Sequence, residues 1–170
     1  MVKKWMALVL IGLGFFLIVL GLGYTFYIQK ENSAGSSLLP KELVGLPLSW
    51  EIAGPSAFAE LFWMHGQDFQ LNQAAVGKYG NEDQVIIYVA ETDTKSMAGR
   101  LITAMRDRIA AVGSPFEPIA EQEIDQRMVY ELEGMGQRHF YFRSDQFILW
   151  LAVDEDFAEE ALRQVLRFYP

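Results

Sequence analysis

Residues 5–28 run for 24 positions without a charge, and only Gly12, Gly14, Gly21, Gly23 and Thr25 interrupt the hydrophobic side chains. A helix of that length spans about 36 Å, enough to cross a hydrocarbon core of about 30 Å with some tilt. Trp5 at one end and Tyr24 and Tyr27 near the other stand where interfacial rings stand in spanning helices. The pattern predicts an uncleaved transmembrane helix over 5–28. A signal peptide would carry an apolar run of about 7–15 residues and then a small-residue cleavage site. The nearest such sequence, Ser33-Ala34-Gly35, lies well past the apolar end, and there is no cysteine for a lipid anchor. Lys3 and Lys4 precede the span, whereas Lys30 follows it beside Glu31. The positive-inside rule then predicts a short cytoplasmic N-terminus over 1–4, a single pass through the cell membrane, and a C-terminal portion outside the cytoplasm. In a bacterium that side faces the periplasm. Ala7, Gly14 and Gly21 recur every seven residues on one face. Small residues let helices approach closely in lipid, which makes this face a candidate contact with a membrane partner or a second copy.

Residues 29–40 are polar and small and read as a flexible linker, which leaves 41–170 as one extracytoplasmic domain. Its pattern alternates between two periods. Met97, Leu101, Met105 and Ile109 recur at i, i+4, predicting a helix that starts at Asp93 or Thr94, runs to Val112, and stops at Gly113 and Pro115. Phe157, Ala161, Leu162, Val165 and Leu166 make a second stripe over 156–168, with Asp156 and Glu159 at capping-box spacing. A shorter helix is expected over 55–65, with Pro55 at its first position and Gly66 after its end.

Strand patterns fill the intervals. Residues 84–90 contain Val-Ile-Ile-Tyr-Val, and the turn Gly80-Asn81-Glu82-Asp83 before them pairs them with 71–79. Residues 127–132, 138–143 and 147–153 form a meander. The last of these is apolar on both faces, so it belongs at the covered centre of the sheet. Leu48, Trp50 and Ile52 suggest an early edge strand, and 116–125 is ambiguous, with Glu121, Glu123 and Asp125 fitting either a loop or an edge strand. The expected fold class is α+β: one N-terminal transmembrane helix, then a mostly antiparallel sheet packed with two to three helices on one face. The order recurs in several α+β superfamilies, and no motif singles out one of them.

Charge narrows the function. Residues 31–170 hold 11 basic and 22 acidic side chains, a net of −11, which argues against nucleic acid as a partner. The absence of cysteine removes disulfides, thiolate metal sites and a cysteine nucleophile. The two histidines, His65 and His139, are the only imidazole ligands for a metal site, with Asp68 or Glu60 as possible carboxylates. Arg138 and Arg143 flank His139 with Tyr141 between, a set that could attract an anionic ligand. The alternative for Arg138 is cross-strand pairing with Glu131 or Glu133. Glu121, Glu123 and Asp125 read as a solvated alternation, and Trp50 and Trp63 as core. No nucleophile elbow, phosphate-binding glycine loop or haem-attachment motif is present, so no cofactor is implied. The expectation is an acidic accessory or binding module, held to the bilayer through 5–28 and working through protein contacts. The alternative is a tethered enzyme, or a metal or small-ligand sensor, using His65 or His139.

Overall fold

The structure, a computed structural model, describes residues 38–65, 70–111 and 113–170. The span over 5–28, its face of Ala7, Gly14 and Gly21, and most of the 29–40 stretch lie outside the described residues. Among the described residues no helix is long and apolar enough to cross a membrane.

The chain forms an eight-stranded sheet of β1 (Glu42–Leu43), β2 (Leu46–Ala53), β3 (Leu71–Tyr79), β4 (Val85–Thr92), β5 (Phe116–Ile124), β6 (Arg127–Gly134), β7 (Gln137–Ser144) and β8 (Phe147–Val153). Among the described residues three α-helices accompany it: α1 (Pro55–His65), α2 (Lys95–Ile109) and α3 (Ala158–Phe168). The spatial order is β1-β2-β3-β4-β8-β7-β6-β5, and every pairing is antiparallel. The first four strands run from one edge to the centre. α2 then carries the chain across to the far edge, and β5 to β8 meander back until β8 pairs with β4. β8 therefore lies inside the sheet, as its two apolar faces require.

Tight turns set these registers. Val44-Gly45, Asp125-Gln126 and Met135-Gly136 all have positive φ, from 49° to 82°. Each is a two-residue loop whose left-handed backbone matches the twist of the flanking strands.

The expectation that helices cover one face is corrected: they cover both. α1 and α2 lie on one side with Ala74, Val76, Ala90, Leu132, Tyr141 and Ile148 of the sheet. α3 lies on the other with Tyr79, Ile87, Phe140, Phe142, Leu149 and Leu151. The strand period of two delivers both layers, because alternate side chains of β7 and β8 point to opposite sides and both sets are apolar. On the α3 side, Ala161, Leu162, Val165 and Leu166 are all buried. Each of the three larger side chains adds about 1.5–3 kcal/mol by leaving water.

Within the stretch read as linker, residues 38–40 are packed on the domain. Leu38 and Leu39 are buried in the α3-side core. Tyr79 Oη donates to Pro40 O at 2.8 Å, and Tyr169 Oη donates to Leu38 O. Burial pushes both phenols well above the usual tyrosine range, so both remain donors. Gly77 makes room for this strap. A Cβ there would stand 2.9 Å from Leu39 Cδ1 and 3.0 Å from Leu48 Cδ1.

Other local expectations shift. Thr94 caps α2 by accepting from Met97 N at 3.2 Å, but the helix ends at Ile109, not Val112. The capping box at Asp156 does not form. A 3₁₀ turn over Glu155–Phe157 leads into α3, and Phe157 at its N-cap makes no side-chain cap bond. Residues 116–124 are a strand, the outer edge of the sheet. Trp50 is not core: it is 45% exposed, and Lys78 Nζ lies 5.4 Å from its ring centroid.

Candidate functional site

The residues read as candidates meet on β7, where parity decides their company. Arg138 shares its face with Phe140 and Phe142, whereas His139, Tyr141 and Arg143 share the opposite one. The two arginines therefore do not converge. Arg138 takes the alternative role and adds to it. It binds Glu155 through Nε at 3.0 Å and Nη2 at 2.7 Å, and pairs through Nη1 with Glu131. Glu131 is buried, so this guanidinium neutralises a carboxylate that burial would otherwise penalise.

His139 is 4% exposed and lies opposite Leu132 on β6 and Ala152 on β8. Its Nε2 lies 2.9 Å from Gly134 O, and Trp150 Nε1 lies 3.2 Å from its Nδ1. A carbonyl only accepts and an indole N–H only donates, so the ring is neutral with its proton on Nε2. Burial pulls its pKa below the usual histidine value, and the bond to Gly134 opposes this only in part. Phe116 meets the imidazole edge-on at 4.8 Å and meets Trp150 at 5.0 Å.

Next to it runs an aromatic ladder. Tyr88, Trp150, Tyr141 and Tyr130 occupy directly paired positions on β4, β8, β7 and β6. Tyr130 stacks on Tyr141 at 4.7 Å, and Tyr141 on Trp150 at 5.6 Å. Such pairs add about 0.5–1.5 kcal/mol each beyond their buried area. Burial, with Tyr130 nearby, raises the Tyr141 phenol well above the usual range. Tyr141 is thus a core ring and a poor proton donor to a ligand. The sequence reading named neither Trp150 nor Phe116 as a neighbour of His139. For Trp150 the signal was present in the tight turn after Ser144, which sets β8 beside β7.

The side chain of His65, the other proposed metal ligand, lies outside the described residues. α1 packs on β2 and β3, whereas β7 lies three strands beyond β3, a separation of about 14 Å. Among the described residues no three His, Asp or Glu side chains gather to hold a metal ion. His139 already spends both ring nitrogens on protein partners. Glu121 and Glu123 lie exposed on β5, and Asp125 is exposed in the turn after it. Arg143 is exposed on the α2 side, where Nη1 donates to Asp145 O at 3.2 Å.

The fold and this site define an α+β domain with one antiparallel sheet between helices, carrying a buried neutral histidine in an aromatic layer. No protein-family model matches the chain, and no curated protein matches it.

Proposed function

We propose that this is a single-pass membrane protein whose domain lies outside the cytoplasm and serves as an accessory or binding module through protein contacts. The observation that carries the reading is the 24-residue uncharged run over 5–28, preceded by Lys3 and Lys4 and followed by an acidic, folded domain. The buried strap of Leu38, Leu39 and Pro40 supports it. Met135, 79% exposed at a hairpin tip, and Ile119, 46% exposed on the edge strand, offer apolar contact points. The Ala7, Gly14 and Gly21 face is a second contact within the lipid.

A metal or catalytic role through His139 gains no support from its geometry, because both ring nitrogens are engaged. Purification of the full chain from its native membrane in mild detergent tests the reading. Stoichiometric co-purification of one membrane-complex component, lost in a Met135→Glu/Ile119→Glu variant or a Gly14→Ile/Gly21→Ile variant, is expected. A clean monomer with no companion contradicts it.

A further inference from the structure

An open groove of about 630 Å³ lies between the N-terminal half of α2 and the hairpin turns that follow β5 and β7. That volume falls in the range of small-molecule sites. Three cations and two carboxylates line it: Lys95, Arg127, Arg143, Asp125 and Asp145. Four of the five are paired. Lys95 binds Asp145, and Arg127 binds Asp125 at 3.5 Å while donating to Leu166 O and Tyr169 O. Arg143 is left over. Its one hydrogen bond goes to a backbone carbonyl, and no ion pair among the described residues includes it. Glu123 faces the same side from β5, opposite Met128, but stands two strands away, about 10 Å.

A planar guanidinium with most of its donors open matches a carboxylate or phosphate in bidentate fashion. Arg127 is not a second head-group ligand: it shares its face with Val129 and Glu131, on the α3 side of the sheet, where its guanidinium donates to Leu166 O and Tyr169 O. Thr103, Gln126 and Ser144 also line the groove, and beside them lies an apolar strip. Met128 is 44% exposed, Tyr130 is half-buried, and Ile102 of α2 forms the facing wall.

We propose that this groove binds a small organic anion, with Arg143 holding a carboxylate or phosphate head and Met128 and Tyr130 carrying an aromatic or aliphatic body. The site lies on the opposite face of the sheet from the Arg138 pair and does not involve His139. It is separate from the protein-contact reading above and stands or falls without it.

Calorimetric titration of the full chain in detergent with inorganic phosphate, phenyl phosphate and benzoate tests it. At least one phenyl anion is expected to bind saturably with a dissociation constant of roughly 1 mM or tighter. It should bind at least about fivefold more tightly than inorganic phosphate, since a buried ring adds apolar area. The tighter of the two phenyl anions identifies the head group. Arg143→Gln, an exposed change that leaves the thermal melt in place, should weaken binding about tenfold or more. Met128→Ala should narrow the gap between phenyl phosphate and phosphate, and Arg163→Gln on the other face should change nothing. No saturable binding by any of the three anions, equal affinity for phosphate and both phenyl anions, or unchanged affinity in Arg143→Gln overturns the proposal.

Discussion

The two faces of the sheet are built differently. The α3 side is closed, with Phe140, Phe142, Leu149 and Leu151 against Leu162, Val165 and Leu166, the Leu38–Leu39 strap along its margin, and its buried polar groups Glu131 and Ser144 bonded to Arg138 and to Tyr169 O. The α2 side holds the histidine, the aromatic ladder and the groove. Its helix buries fully only Ala98 and Ile102, leaving Leu101, Met105 and Ile109 half-buried. One face carries most of the burial that makes the fold stable, and the other keeps open surface that a tighter layer would exclude.

Truncation should expose this asymmetry most strongly. Leu151→Ala on the closed face should cost about 3–4 kcal/mol, whereas Leu101→Ala on α2 should cost about 1 kcal/mol, because its site is already partly solvated. Urea midpoints of the two variants check the ratio, and equal losses would erase the distinction. Arg138→Ala should cost about 1–2 kcal/mol, since it strands the buried Glu131 carboxylate. Arg138→Ala combined with Glu131→Gln should recover part of that loss in the same assay.

A smaller effect separates the faces by pH. His139 is neutral in the fold, with a pKa below its unfolded value near 6.5. The unfolded chain thus binds the extra proton first. The stability that the neutral ring supports is complete above about pH 6.5 and falls as pH drops toward the lowered native value. Protonation also removes the lone pair that accepts from Trp150. His139→Gln should flatten the stability profile between about pH 6.5 and 5, and an unchanged slope would show that the imidazole is not the titrating group. The smallest change is expected at Arg163. Its pairs with Glu159 and Glu160 are solvent-exposed, so Arg163→Ala should shift stability by less than about 0.5 kcal/mol.

Much of the domain was legible in the chain where one period dominated. Strands 71–79 and 147–153 are bounded by turn residues and have the bounds read from the pattern. β5 was not legible. Pro118 and a register shift between Pro118 and Ala120 break its alternation, and as a solvated edge strand it has no apolar face to announce it. Both-face coverage was implied by the doubly apolar 147–153 run, which cannot lie at the centre of a sheet covered on one side. The separation of Arg138 from Arg143 was implied as well, because five residues along a strand reverse the face. Trp150 was within reach of the meander reading, which set 147–153 beside β7, whereas Phe116 was not, because the long-range placement of its strand is announced by no local pattern. The groove was hidden for the same reason: it joins α2 to two hairpin turns far apart in sequence.

The central claim is that the chain crosses the cell membrane once and holds its acidic domain outside the cytoplasm. Its sequence has no cysteine, so a single introduced thiol reports its own side unambiguously. Ala104 is exposed on α2 and Lys3 precedes the apolar run. In cells with any outer barrier opened but the cytoplasmic membrane intact, a membrane-impermeant maleimide should label Ala104→Cys at once and Lys3→Cys only after detergent. The reverse pattern, or protection of both positions until lysis, would contradict the account.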